Sequence, residues 1–208
     1  MKFSSNSFAD GQKIPKEFAF AIIDAVHHVS LGNNLNPHFT WSDVPEGVRS
    51  FALICVDPDA PGAGDDVNQE SRNVPASLPR VDFFHWVLVD LPAGLREIVA
   101  GEFSCEVTPR GKAGPSAPHG ARRGINDFTH WFDNDNDMRG DYFGYDGPCP
   151  PWNDELVHRY VFTLYALDIG RLPLEGRFNG PAVLAAIQGH ILAQASLYGT
   201  YTLNPKLA

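Results

Sequence analysis

The segment RSFALICVD at residues 49–57 gives the clearest structural signal in the chain. Its interior places apolar side chains on both alternating faces, as expected for a central strand that is covered on two sides. The segments FFHWVLVD at 83–90 and HRYVFTLYALD at 158–168 have the same character. These segments predict three strands of one large sheet. A weaker strand is predicted at 38–41.

The composition supports a folded, β-rich chain. Hydrophobic residues make up 43% of the 208 residues and charged residues 20%, and 14 Phe, 6 Tyr and 4 Trp supply bulky core side chains. These values argue against a largely disordered chain. The 19 Gly and 17 Pro indicate many turns and lack the period of three that collagen requires. We therefore expect one domain over residues 1–208.

The charge excludes one class of partner. Lys and Arg number 16 against 25 Asp and Glu, which gives a formal net charge of −9. A nucleic-acid backbone needs concentrated positive charge, so we expect no nucleic-acid partner. The longest apolar runs fall far short of the roughly 20 residues that a membrane-spanning helix needs, and we expect no transmembrane segment.

Three cysteines, Cys55, Cys105 and Cys149, are expected to be free thiols. Their number is odd, and a chain of this length does not need disulfide bonds for stability. The first residues, MKFSSNSFADGQ, contain no apolar signal region. The expected location is the cytoplasm.

One long helix is predicted at 179–199, with Pro181 in its first turn and Gly199 at its end. Apolar residues recur at helical spacing along this segment: Leu184, Ile187, Ile191, Ala195 and Tyr198. A shorter helix is predicted at 92–100. Two long irregular stretches, at about 58–82 and 104–157, are expected to be loops, and loops of such length often carry function.

The acidic run at 133–137, DNDND, has the alternating carboxylates of a calcium loop. An EF-hand would need Gly at its sixth position and Glu at its twelfth, where this chain has Met138 and Gly144. We interpret the run as a solvated acidic loop. No C-x-x-C pair is present, and no metal site is predicted.

Polar residues lie at the ends of the predicted strands in a pattern that indicates a binding site. Asp57 ends its strand and His85 lies near the start of the next, so antiparallel pairing brings them together. His158 opens the third strand, with Tyr160 on the same face. A carboxylate, two imidazoles and a phenol in one concavity favour a small anionic or phosphate-bearing ligand.

Two proline-rich segments flank these residues. The sequence reads DPDAP at 57–61 and GPCPP at 147–151. Proline fixes the backbone angle φ and removes a hydrogen-bond donor, so such segments keep their shape without ladder partners. We expect them to form the walls of a pocket.

The order DPDAP at 57–61, HW at 85–86, GPCPP at 147–151 and HRY at 158–160 resembles the phosphatidylethanolamine-binding protein family. The chain is most similar to its bacterial branch, the Raf-kinase-inhibitor-like proteins, over roughly residues 20–202. The resemblance implies a mainly β fold. Its parts would be a large central antiparallel sheet, a smaller second sheet and a C-terminal helix.

The resemblance also implies a surface pocket for phosphate or a phospholipid headgroup, without a cofactor. The residues of this chain that match the family's pocket are Asp57, His85, Gly147, Pro148, His158 and Tyr160. The family's animal members carry a Tyr just before the HW strand, whereas PRVDF at 79–83 contains none. Residues 152–155 are expected at the rim, and the bacterial branch suggests a homodimer.

Three functional interpretations remain open at the level of sequence. The leading one is a non-catalytic binding module with a regulatory role, because no nucleophile is paired with a base and no catalytic residue can be assigned. The alternative is a hydrolase or lyase acting on a phosphorylated or carboxylated small molecule, with Asp57 orienting His85 or His158 as a general base. The third is a scaffold that binds proteins through its long loops.

Overall fold

A computed structural model describes residues 1–208 and contains ten strands and two short α-helices. The strands are β1 (Lys2–Ser4), β2 (Ala21–Asp24), β3 (His28–Leu31), β4 (Phe39–Ser42), β5 (Ser50–Pro61), β6 (Arg80–Pro92), β7 (Glu97–Ile98), β8 (Arg122–Arg123), β9 (His158–Leu167) and β10 (Ile191–Tyr201). The helices are α1 (Phe128–Trp131) and α2 (Gly180–Ala186). No helix of the structure has both the length and the apolar character that a bilayer span requires.

A five-stranded antiparallel sheet in the order β10-β9-β5-β6-β8 forms the centre of the molecule. A second sheet has the order β1-β4-β7, and β2 and β3 form a separate hairpin. The predicted mainly β fold, with a large central antiparallel sheet and a smaller second sheet, is confirmed. The weaker strand expected at 38–41 is β4.

The central sheet is buried on both faces, as the continuous apolar segments predict. Alternate residues of β5 enter different clusters: Phe51 and Leu53 join the one that contains the small sheet, and Ala52 and Ile54 join the one that contains α2. All four side chains are buried. Because both faces are covered, the chemistry available to a ligand lies at the ends of the strands.

Strands β5 and β6 extend further than predicted, so the first loop is shorter than the expected 58–82. β5 pairs with both neighbours only as far as Val56, after which it pairs with β6 alone. Pro58 therefore lies where one side of the strand has no partner, and its missing N–H costs no ladder bond. A register shift between Asp57 and Ala60 marks a bulge at this point.

The helix predicted at 179–199 is wrong beyond its first half. Helix α2 ends at Ala186, and Gly189 has φ of +82°, a conformation that does not continue a helix. The chain then forms β10, which pairs with β9 over eleven residues. Exposed side chains alternate with less exposed ones from Gln194 to Gly199, so pairing with β9 outweighs the local helical spacing.

The helix predicted at 92–100 is also wrong. A turn begins at Pro92, whose carbonyl accepts a hydrogen bond from the Leu95 N–H. Glu97 and Ile98 then form β7 on β4. Ile98 is fully buried, so this short apolar run contributes to the small sheet and not to a helix.

The three cysteines are unpaired, as predicted. Cys55 lies within the core, Cys105 is exposed and Cys149 is half-buried.

The strand β10 can be tested with a pair of proline substitutions. The N–H groups of Tyr198 and Thr200 bond to the N-terminal segment and not to β9. By alternation, the N–H of Ser196 also points away from β9, whereas that of Ala195 points toward it. We expect Ala195→Pro to lower the free energy of unfolding in urea by about 1–3 kcal/mol more than Ser196→Pro does. If both variants lost the same free energy of unfolding, the result would contradict the strand and favour a helix over these residues.

Candidate functional site

A cavity of about 140 Å³ opens where β5, β6 and β9 meet the segment 147–151. Asp57, His85 and His158 line it together with Cys149 and Pro150. The structure thus brings together three of the four polar residues that were predicted at the strand ends. Asp57 lies opposite Phe83 in the β5–β6 ladder, two residues before His85. His158 is the first residue of β9.

His158 is held between two buried carboxylates. Its Nδ1 donates to Asp57 Oδ2 over 2.7 Å and its Nε2 donates to Asp154 Oδ2 over 3.1 Å. Burial alone would lower the pKa of His158, but the two carboxylates outweigh that effect and raise it to about 9. His158 is therefore an imidazolium at neutral pH, and both of its N–H groups are already used.

Asp154 also binds a second cation, Arg80. Its two oxygens accept from Arg80 Nη1 and Nη2 over 2.6 and 3.0 Å. Burial by itself would raise the pKa of Asp154, but the hydrogen bonds from His158 and Arg80 hold it below its usual value. Asp154 was expected at the rim of the pocket, and this expectation is wrong because its side chain is completely buried. Its position four residues before His158 was the only signal in the sequence.

His85 has a different environment. Its Nδ1 lies 2.8 Å from the backbone oxygen of Asp146, which can only accept, so Nδ1 carries the proton. Nε2 has no partner in the protein. Burial lowers the pKa of His85 despite the nearby carboxylates of Asp57, Asp127 and Asp146. At neutral pH His85 is uncharged and offers a lone pair at Nε2.

The carbonyl that orients His85 is itself fixed by a buried network. The Asp146 side chain accepts from Lys112 Nζ over 2.9 Å and from the amides of Asn34 and Asn126 over 2.7 and 2.8 Å. Lys112 also donates to the Tyr145 carbonyl. None of these residues was identified as a site residue from the sequence, because they come from widely separated segments.

Asp57 has both of its oxygens engaged. Oδ2 accepts from His158, and Oδ1 accepts from the Asp59 N–H over 2.8 Å. Asp59 in turn forms a two-point ion pair with Arg159. The DPDAP segment thus positions two carboxylates, each neutralised by a cation from the start of β9.

The other three predicted residues lie behind the cavity surface. The Tyr160 ring packs edge-on against His85 with centroids 5.0 Å apart, and its buried hydroxyl has no partner. Gly147 donates its N–H to Asn34 Oδ1, and a Cβ at this position would lie 2.1 Å from the Phe18 carbonyl oxygen. The Pro148 carbonyl accepts from Phe20 and Ala21. Gly147 and Pro148 anchor the wall that Cys149, Pro150 and Pro151 form.

Aromatic and aliphatic side chains surround the polar floor of the cavity. Phe83, Phe128, Trp131 and Val81 contribute to this lining. Phe83 belongs to the segment where the animal proteins have a Tyr, so a ring is present without a hydroxyl. Trp131 and Val81 are about half exposed.

The acidic run at 133–137 remains a loop without a metal-like arrangement. The chain contains no group of three or more His, Cys, Asp or Glu side chains arranged to hold a metal ion. Within the run, Asp135 Oδ1 accepts from the N–H groups of Asp137 and Met138.

Comparison with known families identifies the chain. The model of the phosphatidylethanolamine-binding protein family matches residues 4–202. The chain belongs to this family. The resemblance of its four motifs is therefore confirmed, and the phosphatidylethanolamine-binding protein fold extends over nearly the whole sequence.

Relatives of this chain occur in several bacteria. UPF0098 protein YbhB of Escherichia coli is 32% identical over 97% of this chain and 100% of its own length. A UPF0098 protein of Aquifex aeolicus is 33% identical over 97% of this chain and 88% of its own length. The crystal structure of E. coli YbcL, a member of the mammalian PEBP family, superposes with a TM-score of 0.67 at 26% identity, covering 97% of both chains. The crystal structure of the Chlamydia trachomatis homologue CT736 superposes with a TM-score of 0.61 at 27% identity, covering 96% of this chain and 95% of its own.

The charged His158 predicts how stability depends on pH. Its pKa is about 9 in the folded protein against 6.5 for an ordinary histidine, so folding favours the protonated form. This contribution is complete below pH 6.5 and is lost as the pH rises through 9. We expect the free energy of unfolding to fall by about 2 kcal/mol between pH 6.5 and 8.5, below the range in which the thiols of Cys55 and Cys149, whose pKa values burial also raises, add to the fall. His158→Gln should abolish most of this fall, whereas His130→Gln, at an exposed position, should leave it unchanged. A fall that persists in His158→Gln would contradict the assignment.

Proposed function

We propose that this protein binds a small anionic or phosphate-bearing ligand, such as a phospholipid headgroup, without transforming it. The observation that carries the proposal is the state of His85. Its Nδ1 proton is committed to the Asp146 carbonyl, while Nε2 has no protein partner and the residue lines the cavity. A ligand that shares a proton with Nε2 completes the hydrogen bonding of this buried ring.

A phosphate group suits that position better than an uncharged ligand. A phosphate group that carries a proton donates its O–H to neutral Nε2, and an anion without a proton accepts from Nε2 once His85 has taken a proton. Either route places one proton between the ring and the ligand. In the first route the ligand brings this proton, whereas in the second His85 takes it up from solution when the anion binds.

The other charged side chains around the cavity compensate one another, so they do not repel a bound anion. The carboxylates of Asp57 and Asp154 are balanced by the cations of His158 and Arg80, and Arg159 balances Asp59. A bound anion therefore does not meet an uncompensated carboxylate on this side. Asp127, whose pKa is raised by burial, lies near His85 and favours its protonated form.

The geometry does not favour the alternative of a hydrolase or lyase. A general base needs a free lone pair, and both nitrogens of His158 donate to carboxylates. His85 is oriented by a backbone carbonyl and not by Asp57, and its pKa is lowered, which weakens it as a base. The relatives YbhB and YbcL carry names that state no reaction.

The homodimer and the cytoplasmic location expected from the sequence stay predictions. A regulatory role and a protein-binding scaffold role likewise rest on the sequence alone.

Calorimetric titration with phosphate and with sulfate tests the proposed function. Sulfate carries no proton at these pH values, so its binding depends on protonation of His85 alone. Because the pKa of His85 is lowered, we expect sulfate to bind more than about tenfold tighter at pH 5.5 than at pH 8, and phosphate, which brings its own proton, to depend less on pH. His85→Ala should remove most of the affinity.

The matched control is His190→Ala, an exposed histidine that pairs with Asp168 away from the cavity. This variant should bind both anions like the unmodified protein. Equal sulfate affinity at pH 5.5 and pH 8, or full binding of both anions by His85→Ala, would contradict the proposal.

A further inference from the structure

A second and larger cavity, of about 320 Å³, shares no lining residue with the first. It is bounded by the N-terminal segment, by β2, by Val157 before β9 and by the end of β10. Its volume falls within the range of small-molecule sites, which begins at roughly 300 Å³. Neither the motifs nor the proposed function accounts for it.

The floor of this cavity is apolar and firmly built. Ile14 is buried, and its N–H donates to the Thr200 carbonyl over 2.9 Å. Tyr201 is fixed by its hydroxyl, which donates to the Ala21 carbonyl over 2.9 Å. Ile23 and Val157, by contrast, are each 40% exposed at the edge of the cavity. An aliphatic group placed there would cover apolar surface that the fold leaves in water.

Two lysines border the same cavity. Lys13 and Lys16 are two of only five lysines in an acidic chain. Lys2 and Lys112 form ion pairs with Asp43 and Asp146, whereas Lys13 and Lys16 form none. Unpaired positive charge beside exposed aliphatic surface is complementary to a ligand with both characters.

We infer that this cavity binds a single-chain anionic amphiphile, with its carboxylate or phosphate head between Lys13 and Lys16 and its aliphatic chain along Ile22, Ile23 and Val157. An inorganic anion would leave the aliphatic surface exposed, and a neutral apolar molecule would not use the ammonium groups. The cavity lining contains only one aromatic side chain, Tyr201, so an aliphatic chain fits it better than a stacked ring. The inference is independent of the function proposed for the first cavity.

Calorimetric titration with octanoate, octyl phosphate and octanol, below their micelle concentrations, tests the role of the two lysines. We expect one molecule of octanoate or octyl phosphate per chain, with octanol binding about tenfold more weakly. The double variant Lys13→Gln with Lys16→Gln should lose about tenfold in affinity for both anions and keep its affinity for octanol. Lys2→Gln, at a lysine that is not part of the cavity lining and pairs with Asp43, is the matched control and should bind like the unmodified protein.

Ile23→Ser tests the aliphatic part at an exposed position that the core does not need. It should weaken octanoate and octanol alike, by several fold, while the thermal unfolding midpoint without ligand stays within a few degrees. Octanoate should still bind to His85→Ala, which separates this cavity from the first. Three results would overturn the inference: octanoate binding that survives the double lysine variant, octanoate binding that His85→Ala abolishes, and a dimer in sedimentation that Ile23→Ser converts to monomer. The last would identify the cavity as an interface between two copies.

Discussion

The buried imidazolium of His158 between Asp57 and Asp154 is the interaction on which the site depends. It joins the end of the β5–β9 pairing to the segment before β9, and through Arg80 it reaches the start of β6. Removing one partner would leave a charge uncompensated in the interior, which is strongly destabilising. The two carboxylates thus compensate the positive charge of His158. His85 is therefore the histidine that can respond to a ligand.

The two histidines differ in protonation state because their hydrogen-bond partners differ. His158 faces carboxylates on both nitrogens and stays charged, whereas His85 faces a neutral carbonyl on one nitrogen and the cavity on the other. As a result, the pKa of His158 is raised and the pKa of His85 is lowered, although both rings are almost completely buried. The two imidazoles that the sequence places in one concavity therefore differ in charge and in role.

Much of the sheet could be predicted because β5, β6 and β9 are apolar on both faces, and the meeting of Asp57, His85 and His158 followed from antiparallel pairing. The failures have physical causes. Residues 191–201 carry apolar spacing compatible with a helix, and only pairing with β9 decides for a strand. From the sequence, Asp154 is expected at the surface, but in the fold it is buried because Arg80 and His158 neutralise its charge. Lys112 is likewise expected to be solvated, but Asp146 neutralises its charge in the interior. Partners distant in sequence cannot be inferred from a local pattern.

Nitrogen NMR of the histidine rings, followed from pH 5 to pH 10, tests the central claim most directly. The account predicts that at pH 7.5 both ring nitrogens of His158 are protonated, with titration near pH 9, while His85 is neutral and carries its proton on Nδ1. Assignment uses His158→Gln and His85→Ala. A neutral His158 at pH 7.5, or a His85 that is charged at that pH without ligand, would contradict the account.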